Sequence, residues 1–480
     1  MLQCRPAQEF SFGPRALKDA LVSMDPALQR LYTSAFSPAE RLFLAEAYSP
    51  QRSLFCTLLI HTAFDWLLSR PEAPEDFETF HAAQLARRPA LGRKHIYLQP
   101  IGLSEDPVDG ELLGALRSYA EAFFLGLQVR CLPSVPAASI PCLSRPTQDR
   151  AGPQLHTGGI LSFLRDSKPG DALCVLGLTR CDLYPCEAWG FTFGAVLPGQ
   201  EVGVCSFARF SGELLQGAPR ALDLAPAQTA ADDPAATLWD GGQSLCFSAL
   251  GTVQCCKVAC HELCRLLGLG SCRWLRCVMQ GALSLDEALR RPPDLCPVCL
   301  RKLQHVLGFK LLDRYKRLHA WTQAVAGTLP GRGPPPASGN TPPSSADSGS
   351  PCDSPSGPLP PDAWTHALAA EPAPGRGPGA SVAPEAITEH GRWLARCIQA
   401  LEREVTEEEL ARVDGAVDAQ ARWEMFAGRL AVPGPGRARG RAGGGLHRAL
   451  GDKLSFLRKR LSVRRLSRAG SSCPLKAEDS

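Results

Sequence analysis

The stretch His261-Glu262-Leu263-Cys264-Arg265-Leu266-Leu267-Gly268 decides how this chain is read. In the pattern H-E-x-x-H, two histidines four apart lie on one helical face and bind one zinc ion. The glutamate between them is the general base. Here the first histidine and the glutamate are present, and Arg265 stands where the second histidine would be. A guanidinium stays protonated and has no lone pair to offer, so it cannot replace an imidazole ligand. An ion pair with Glu262 is the local role its charge suggests.

Extended outward, the segment reads His261-Glu262-x-x-Arg265-x-x-Gly268-x-x-Ser271. That is the spacing of the metzincin signature H-E-x-x-H-x-x-G-x-x-H, whose glycine turns the chain off the helix so that a third ligand reaches the metal. The turn glycine is kept; the second and third histidines are not. Cys264 lies on nearly the same face as His261 and reads as a buried thiol. Ser271 can at most hold a metal-bound water. His305 and His319 are the nearest remaining histidines in sequence, and neither has a position that completes the site.

Directly beyond the helix comes Cys272-x4-Cys277-x18-Cys296-x2-Cys299. Two thiolates two residues apart fit adjacent corners of a tetrahedron, so this pattern reads as a structural four-cysteine zinc site, closed to substrate. Met279 follows Cys277 by two and fits the apolar floor beneath a metal that a Met-turn provides.

Taken together, these residues resemble the archaemetzincin family, whose pattern is H-E-x-x-H-x-x-G-x-x-H-C-x4-C-x-M followed by C-x2-C. His261, Glu262, Gly268, Cys272, Cys277, Met279, Cys296 and Cys299 carry the match. The resemblance implies a metzincin-like zinc protease domain with an active-site helix and a Met-turn. It also implies a catalytic zinc, a second structural zinc, peptide or protein substrates and aminopeptidase-type hydrolysis. By position, His261 would be a catalytic-zinc ligand and Glu262 the base acting on zinc-bound water. One imidazole is too few for a catalytic zinc, which normally keeps three protein ligands. The competing reading is therefore a non-catalytic scaffold that keeps only the structural zinc. A RING-like adaptor fits less well, because the x18 interval leads back from a protease-type helix instead of forming cross-braced pairs.

The rest of the chain sets the frame. It has 480 residues, 44% of them hydrophobic, which is enough for a real core; its 44 Gly and 42 Pro cluster late, which points to a folded body with a disordered tail. From Arg437 to Arg468 there are eleven Lys/Arg and one acid, a charge of +10. In a chain of total charge +4 the remainder stands at −6, so the folded part is mildly acidic and nucleic acid is not expected as a partner of the protein. The basic tail suits acidic partners, and Arg464-Arg465-Leu466-Ser467 has a basophilic kinase pattern. The N-terminus lacks the form of a signal peptide. The richest apolar run, Leu54 to Leu68, is broken by His61, Thr62 and Asp65 and falls short of the roughly 20 residues of a membrane span. Twenty cysteines without such a signal suggest reduced thiols and metal ligands, hence a cytoplasmic or nuclear protein that is not secreted.

Along the chain, 1–92 reads as a helical N-terminal extension in which Leu54 to Leu68 is the strongest element, a core helix. From 93 to 326 strands and helices alternate, an α/β (α+β) pattern. Strands are expected at Ile96–Ile101, Ala172–Thr179, Phe191–Val196 and Val202–Phe207. The last two are joined by the turn sequence Leu197-Pro198-Gly199-Gln200. Helices are expected around Leu113–Leu127, at Leu245–Leu267, and from Pro297 to Val325. A disordered Pro/Gly/Ser linker follows at 327–384, a helical segment at 385–430, and a basic disordered tail at 431–480.

Overall fold

The structure, a computed structural model, describes residues 7–49, 51–86, 93–103, 106–147, 152–210, 249–328 and 382–426. The linker expected at 327–384 and the basic tail fall almost wholly outside these residues, as does the start of the helix expected from Leu245.

In the N-terminal part, strand β1 (Gln8–Phe10) precedes helices α1 (Pro14–Val22), α2 (Pro26–Ala35) and α3 (Pro38–Ala45). Each helix opens on a proline, whose missing N–H costs nothing in the first turn. Ser37 and Glu40 close a reciprocal capping box on α3. The core helix expected over Leu54 to Leu68 is not there. Strand β2 (Leu58–Ile60) and the single turn α4 (Trp66–Ser69) take its place. The Asp65 carboxylate explains the break, accepting the backbone N–H of His61 at 2.7 Å and of Thr62 at 3.1 Å, and the Thr62 hydroxyl at 2.6 Å. These bonds offer the backbone a turn instead of a helix. They leave β2 to pair antiparallel with β1. Helix α5 (Phe77–Ala86) completes this part.

The body that follows is a sheet between two layers. Strands β3 (His95–Ile101) and β4 (Gln128–Cys131) flank α6 (Pro107–Phe123). Then come β5 (Ser144–Pro146), β6 (Pro153–His156), α7 (Thr157–Asp166), β7 (Ala172–Thr179), β8 (Asp182–Tyr184), β9 (Gly194–Leu197) and β10 (Val202–Ser206). The main sheet has the order β4-β3-β7-β10-β9; the first four strands run parallel, and β9 is the antiparallel edge. Strands β3, β7 and β10 are buried on both faces, which is why they read as nearly unbroken apolar runs. β9 begins at Gly194, three residues later than the sequence suggests; the Phe193 carbonyl still accepts the Ser206 N–H of β10 at 2.9 Å, and Phe191 packs edge to face on Phe193 at 5.1 Å.

Across the sheet lies α8 (Ala249–Leu266), the helix that carries His261 and Glu262. Its face of Cys256, Cys260, Leu263 and Leu267 joins Ile96, Leu98, Leu176 and the α6 residues Leu116 and Phe123 in the main core. On the opposite side of the sheet, Val175, Val202 and Val204 pack on Ile160, Leu161 and Leu164 of α7. After the short α9 (Leu285–Arg290), the single helix expected from Pro297 to Val325 is two, α10 (Pro297–Leu307) and α11 (Leu311–Thr328). Gly308, at φ 72°, is the left-handed stop between them.

Helices α12 (Val382–Glu402) and α13 (Glu407–Phe426) lie in the expected helical segment and pack on the body. Leu394, Cys397 and Leu401 of α12 and Val417 of α13 enter the main core. Burying a leucine fully is worth about 1.5–3 kcal/mol, so the docking is held by real apolar contact. A polar seam adds to it: Lys18 meets Asp418 at 3.2 Å, Lys316 meets Glu402 at 2.6 Å, and the Tyr48 hydroxyl donates to Asp414 at 2.8 Å. No helix among the described residues is long and apolar enough to cross a membrane.

Candidate functional site

Helix α8 ends at the turn that its sequence announces. Gly268 has φ 96°; its N–H donates to the Arg265 carbonyl at 2.9 Å, and the Leu269 N–H donates to the Cys264 carbonyl at 3.0 Å. This is a Schellman stop, which requires the left-handed residue that glycine supplies at little cost. It directs the chain into Cys272 and the turn beyond.

That turn serves two sites at once. The Val278 carbonyl lies 2.9 Å from His261 Nδ1, which fixes the imidazole and leaves Nε2 as its free nitrogen. The Met279 carbonyl accepts the Cys272 N–H at 2.8 Å, and the Met279 N–H donates to Cys277 Sγ at 3.4 Å. Met279 itself is wholly buried, as a core floor would be.

The four expected cysteines converge. Cys272, Cys277, Cys296 and Cys299 are all buried, with their sulfurs within 4.8 Å of one another, and Cys272 and Cys296 are 3.6 Å apart. A tetrahedron of Zn–S bonds of about 2.3 Å has edges of about 3.8 Å, so the cluster fits a zinc ion with little adjustment. Cys277 Sγ also accepts the Cys296 N–H at 3.3 Å. Cys296 caps α10, and Cys299 lies in its first turn, where the helix dipole favours an anionic sulfur. Burial opposes ionisation of Cys272, but hydrogen bonds from Cys277, Cys296 and Cys299 hold its thiol well below the usual range. Burial and the bonds with Cys272 and Cys296 push Cys277 well up, and bonds with the other three do the same to Cys299. A dication takes the place of protons held this way.

Beside His261, the position of the second expected ligand holds a cation. Glu262 Oε2 accepts from Arg265 Nη1 at 2.9 Å, so the residue at the second-ligand position forms an ion pair with the carboxylate. The other carboxylate oxygen lies 4.0 Å from His261 Nε2. Among the described residues, Cys272, Cys277, Cys296 and Cys299 form the only group of three or more potential ligands, and His261 belongs to none. Cys264 is fully buried, and burial pushes its thiol far above the usual range, so it is an inert core group. Ser271 is half-buried beyond the turn, and His305 packs against His81 and Phe77 at the α5–α10 contact.

Two residues that shape this centre were not legible in the sequence. Gly194 of β9 lies against Glu262; a Cβ there would sit 2.8 Å from the Glu262 carboxyl carbon. Arg291, buried just after α9, adds a second cationic field. Burial raises the Glu262 carboxyl above its ordinary range, against the opposing pull of Arg265 and Arg291. Burial, with Arg291 and Arg265 adding to it, holds His261 well below the usual imidazole range, so the ring is neutral. The only sequence signal for Arg291 is its place in Arg290-Arg291-Pro292-Pro293, between the two cysteine pairs.

Known proteins place this scaffold. An archaemetzincin-1 from Homo sapiens is 66% identical across 98% of both chains, and one from Rattus norvegicus is 62% identical across the same shares. An archaemetzincin-2 from Rattus norvegicus is 37% identical over 65% of this chain and 87% of its own. Among solved structures, the archaemetzincin of Methanopyrus kandleri is 24% identical, covers 46% of this chain and 99% of its own, and gives a TM-score of 0.31. No family model matches the chain. At these identities over nearly full length, the chain belongs to the archaemetzincin family.

Proposed function

We propose that this archaemetzincin keeps the zinc metallopeptidase scaffold and the Cys272–Cys277–Cys296–Cys299 zinc, while the centre at His261 and Glu262 engages peptide without hydrolysing it. The observation that carries this reading is the Arg265–Glu262 ion pair, which puts a fixed cation at the second-ligand position and ties up one of the two Glu262 carboxylate oxygens. A dication brought beside His261 would meet two guanidinium charges, those of Arg265 and Arg291. The edge strand β9 runs past Glu262, and no further strand pairs with its outer side among the described residues. An extended peptide can add to such an edge through main-chain hydrogen bonds. Reduced, zinc-bound thiols suit a reducing compartment, cytoplasm or nucleus.

A second reading, an active hydrolase with Glu262 as base, draws on the His261 orientation: Nδ1 tied to a carbonyl and Nε2 free is how a metal-bound histidine is held. Aminoacyl coumarin amides separate the two. The zinc-loaded chain is expected to leave them uncut. Turnover that disappears in Glu262→Gln overturns the proposal in favour of the second reading.

A further inference from the structure

A small recess bordered by Arg291, whose charge also acts on Glu262, is lined by His61, Asp65, Arg276, Glu287 and Arg290, with Trp66 and leucines between them. Its volume is about 50 Å³, room for roughly three or four waters or one small polar group. Its acids are already engaged by backbone. Asp65 takes the N–H groups of His61 and Thr62. Glu287 takes the N–H of Trp66 at 2.6 Å and of Leu283 at 2.8 Å. Arg290 is paired with Asp286, and Arg276 Nη2 donates to the Arg290 carbonyl at 3.2 Å.

Arg291 is the exception. The residue is 6% exposed, and its Nε is buried with no hydrogen-bond partner. Glu262 and Glu287 are near enough to act on its charge, yet neither forms an ion pair with it among the described residues. Burial pushes its pKa down to about 10, so it stays charged at neutral pH. A buried cation is normally held by a hydrogen-bonded counter-charge. Here no described residue supplies one in contact, and the guanidinium borders the recess.

We propose that this recess is a carboxylate-binding subsite in which Arg291 donates to the carboxylate of a bound peptide, either its C-terminus or an acidic side chain. A planar guanidinium matches a carboxylate two bonds at a time. The recess is too small for a bulky group, and Asp65 and Glu287 in its wall disfavour a dianion such as phosphate over a monoanion. The peptide source rests on the peptide-binding reading above; the anion preference rests on Arg291 alone.

Calorimetry on the full, zinc-loaded chain tests it with three acetylated peptides. Ac-Gly-Gly-Glu amide has only a side-chain carboxylate, Ac-Gly-Gly-Gln with a free C-terminus has only the terminal one, and Ac-Gly-Gly-Gln amide has none. At least one carboxylate peptide is expected to bind about tenfold more tightly than the amide, the worth of one charge-assisted contact. Which one does so identifies the source. Arg291→Gln should abolish the difference, Arg291→Lys should keep part of it, and acetate should compete with the favoured peptide. Equal binding of all three peptides, or a preference that survives Arg291→Gln, overturns the proposal. So does inorganic phosphate competing better than acetate. Should Arg291→Gln fail to fold, the wild-type preference and the acetate and phosphate competitions still decide. Turnover of coumarin amides would overturn the proposed function without touching this preference, so the two failures are distinguishable.

Discussion

Replacing Arg265 by glutamine removes the only hydrogen-bonded ion-pair partner, among the described residues, of a carboxylate whose side chain is only 5% exposed. Breaking a buried pair can cost 3–5 kcal/mol, but Arg265 is 35% exposed and Arg291 still acts on Glu262, so the expected loss is smaller. The value of a charge-assisted hydrogen bond, about 1.5 kcal/mol, is the appropriate scale, and it lowers Tm by about 3 °C in a body of this size. The pH dependence is the sharper signature. Glu262 is raised in the folded state, so the fold binds its proton more tightly than the unfolded chain does. Its contribution is therefore most favourable below the unfolded carboxyl value of about 4.3 and is lost as pH rises through the folded value. Arg265 counters that rise, and without it the folded value moves higher and the penalty at neutral pH grows. Thermal melts of both proteins should thus show a gap that is widest at pH 8 and narrows towards pH 5. A gap that is absent, or constant across that range, refutes the placement of Arg265 as the partner of Glu262.

Other substitutions probe the remaining supports. Cys296→Ser should lose the bound zinc and cost at least about 4 kcal/mol, as removal of a structural metal does, read by metal analysis and urea unfolding. Gly194→Ala puts a methyl 2.8 Å from the Glu262 carboxyl carbon and should cost about 1–3 kcal/mol by overpacking, with Glu262→Ala in the same chain restoring most of the loss in Tm. Leu394→Ala should cost about 2–5 kcal/mol in the same urea assay, because Leu394 is fully buried where α12 meets the body; an unchanged midpoint would show that α12 does not dock.

The local features of the centre could be read from the chain because they depend on short spacings. Gly268 is needed for one turn, and the four cysteine sulfurs come within 4.8 Å of one another. The strands β3, β7 and β10 were likewise legible as buried apolar runs. What escaped was decided at a distance. Leu54 to Leu68 is apolar enough for a core helix, but Asp65 captures the N–H groups before it, and the pairing partner of β2 lies near the N-terminus. The run from Pro297 to Val325 keeps its apolar spacing across Gly308, so only the left-handed backbone there reveals two helices. Phe191 reads as a strand residue in sequence, whereas its ring packs on Phe193 and under the Arg209 guanidinium, 3.6 Å from the ring centre. Gly194 and Arg291 reach Glu262 only through the tertiary fold, and no spacing within α8 encodes them.

Counting zinc in the purified full-length chain tests the central claim most directly, with mass-spectrometric metal analysis of the wild type, His261→Ala, and the double variant Arg265→His/Ser271→His. One zinc per chain is expected in the wild type and in His261→Ala, because the four cysteines hold it, and two in the double variant, where the missing imidazoles are restored. Two zincs in the wild type, one of them lost in His261→Ala, would contradict the account.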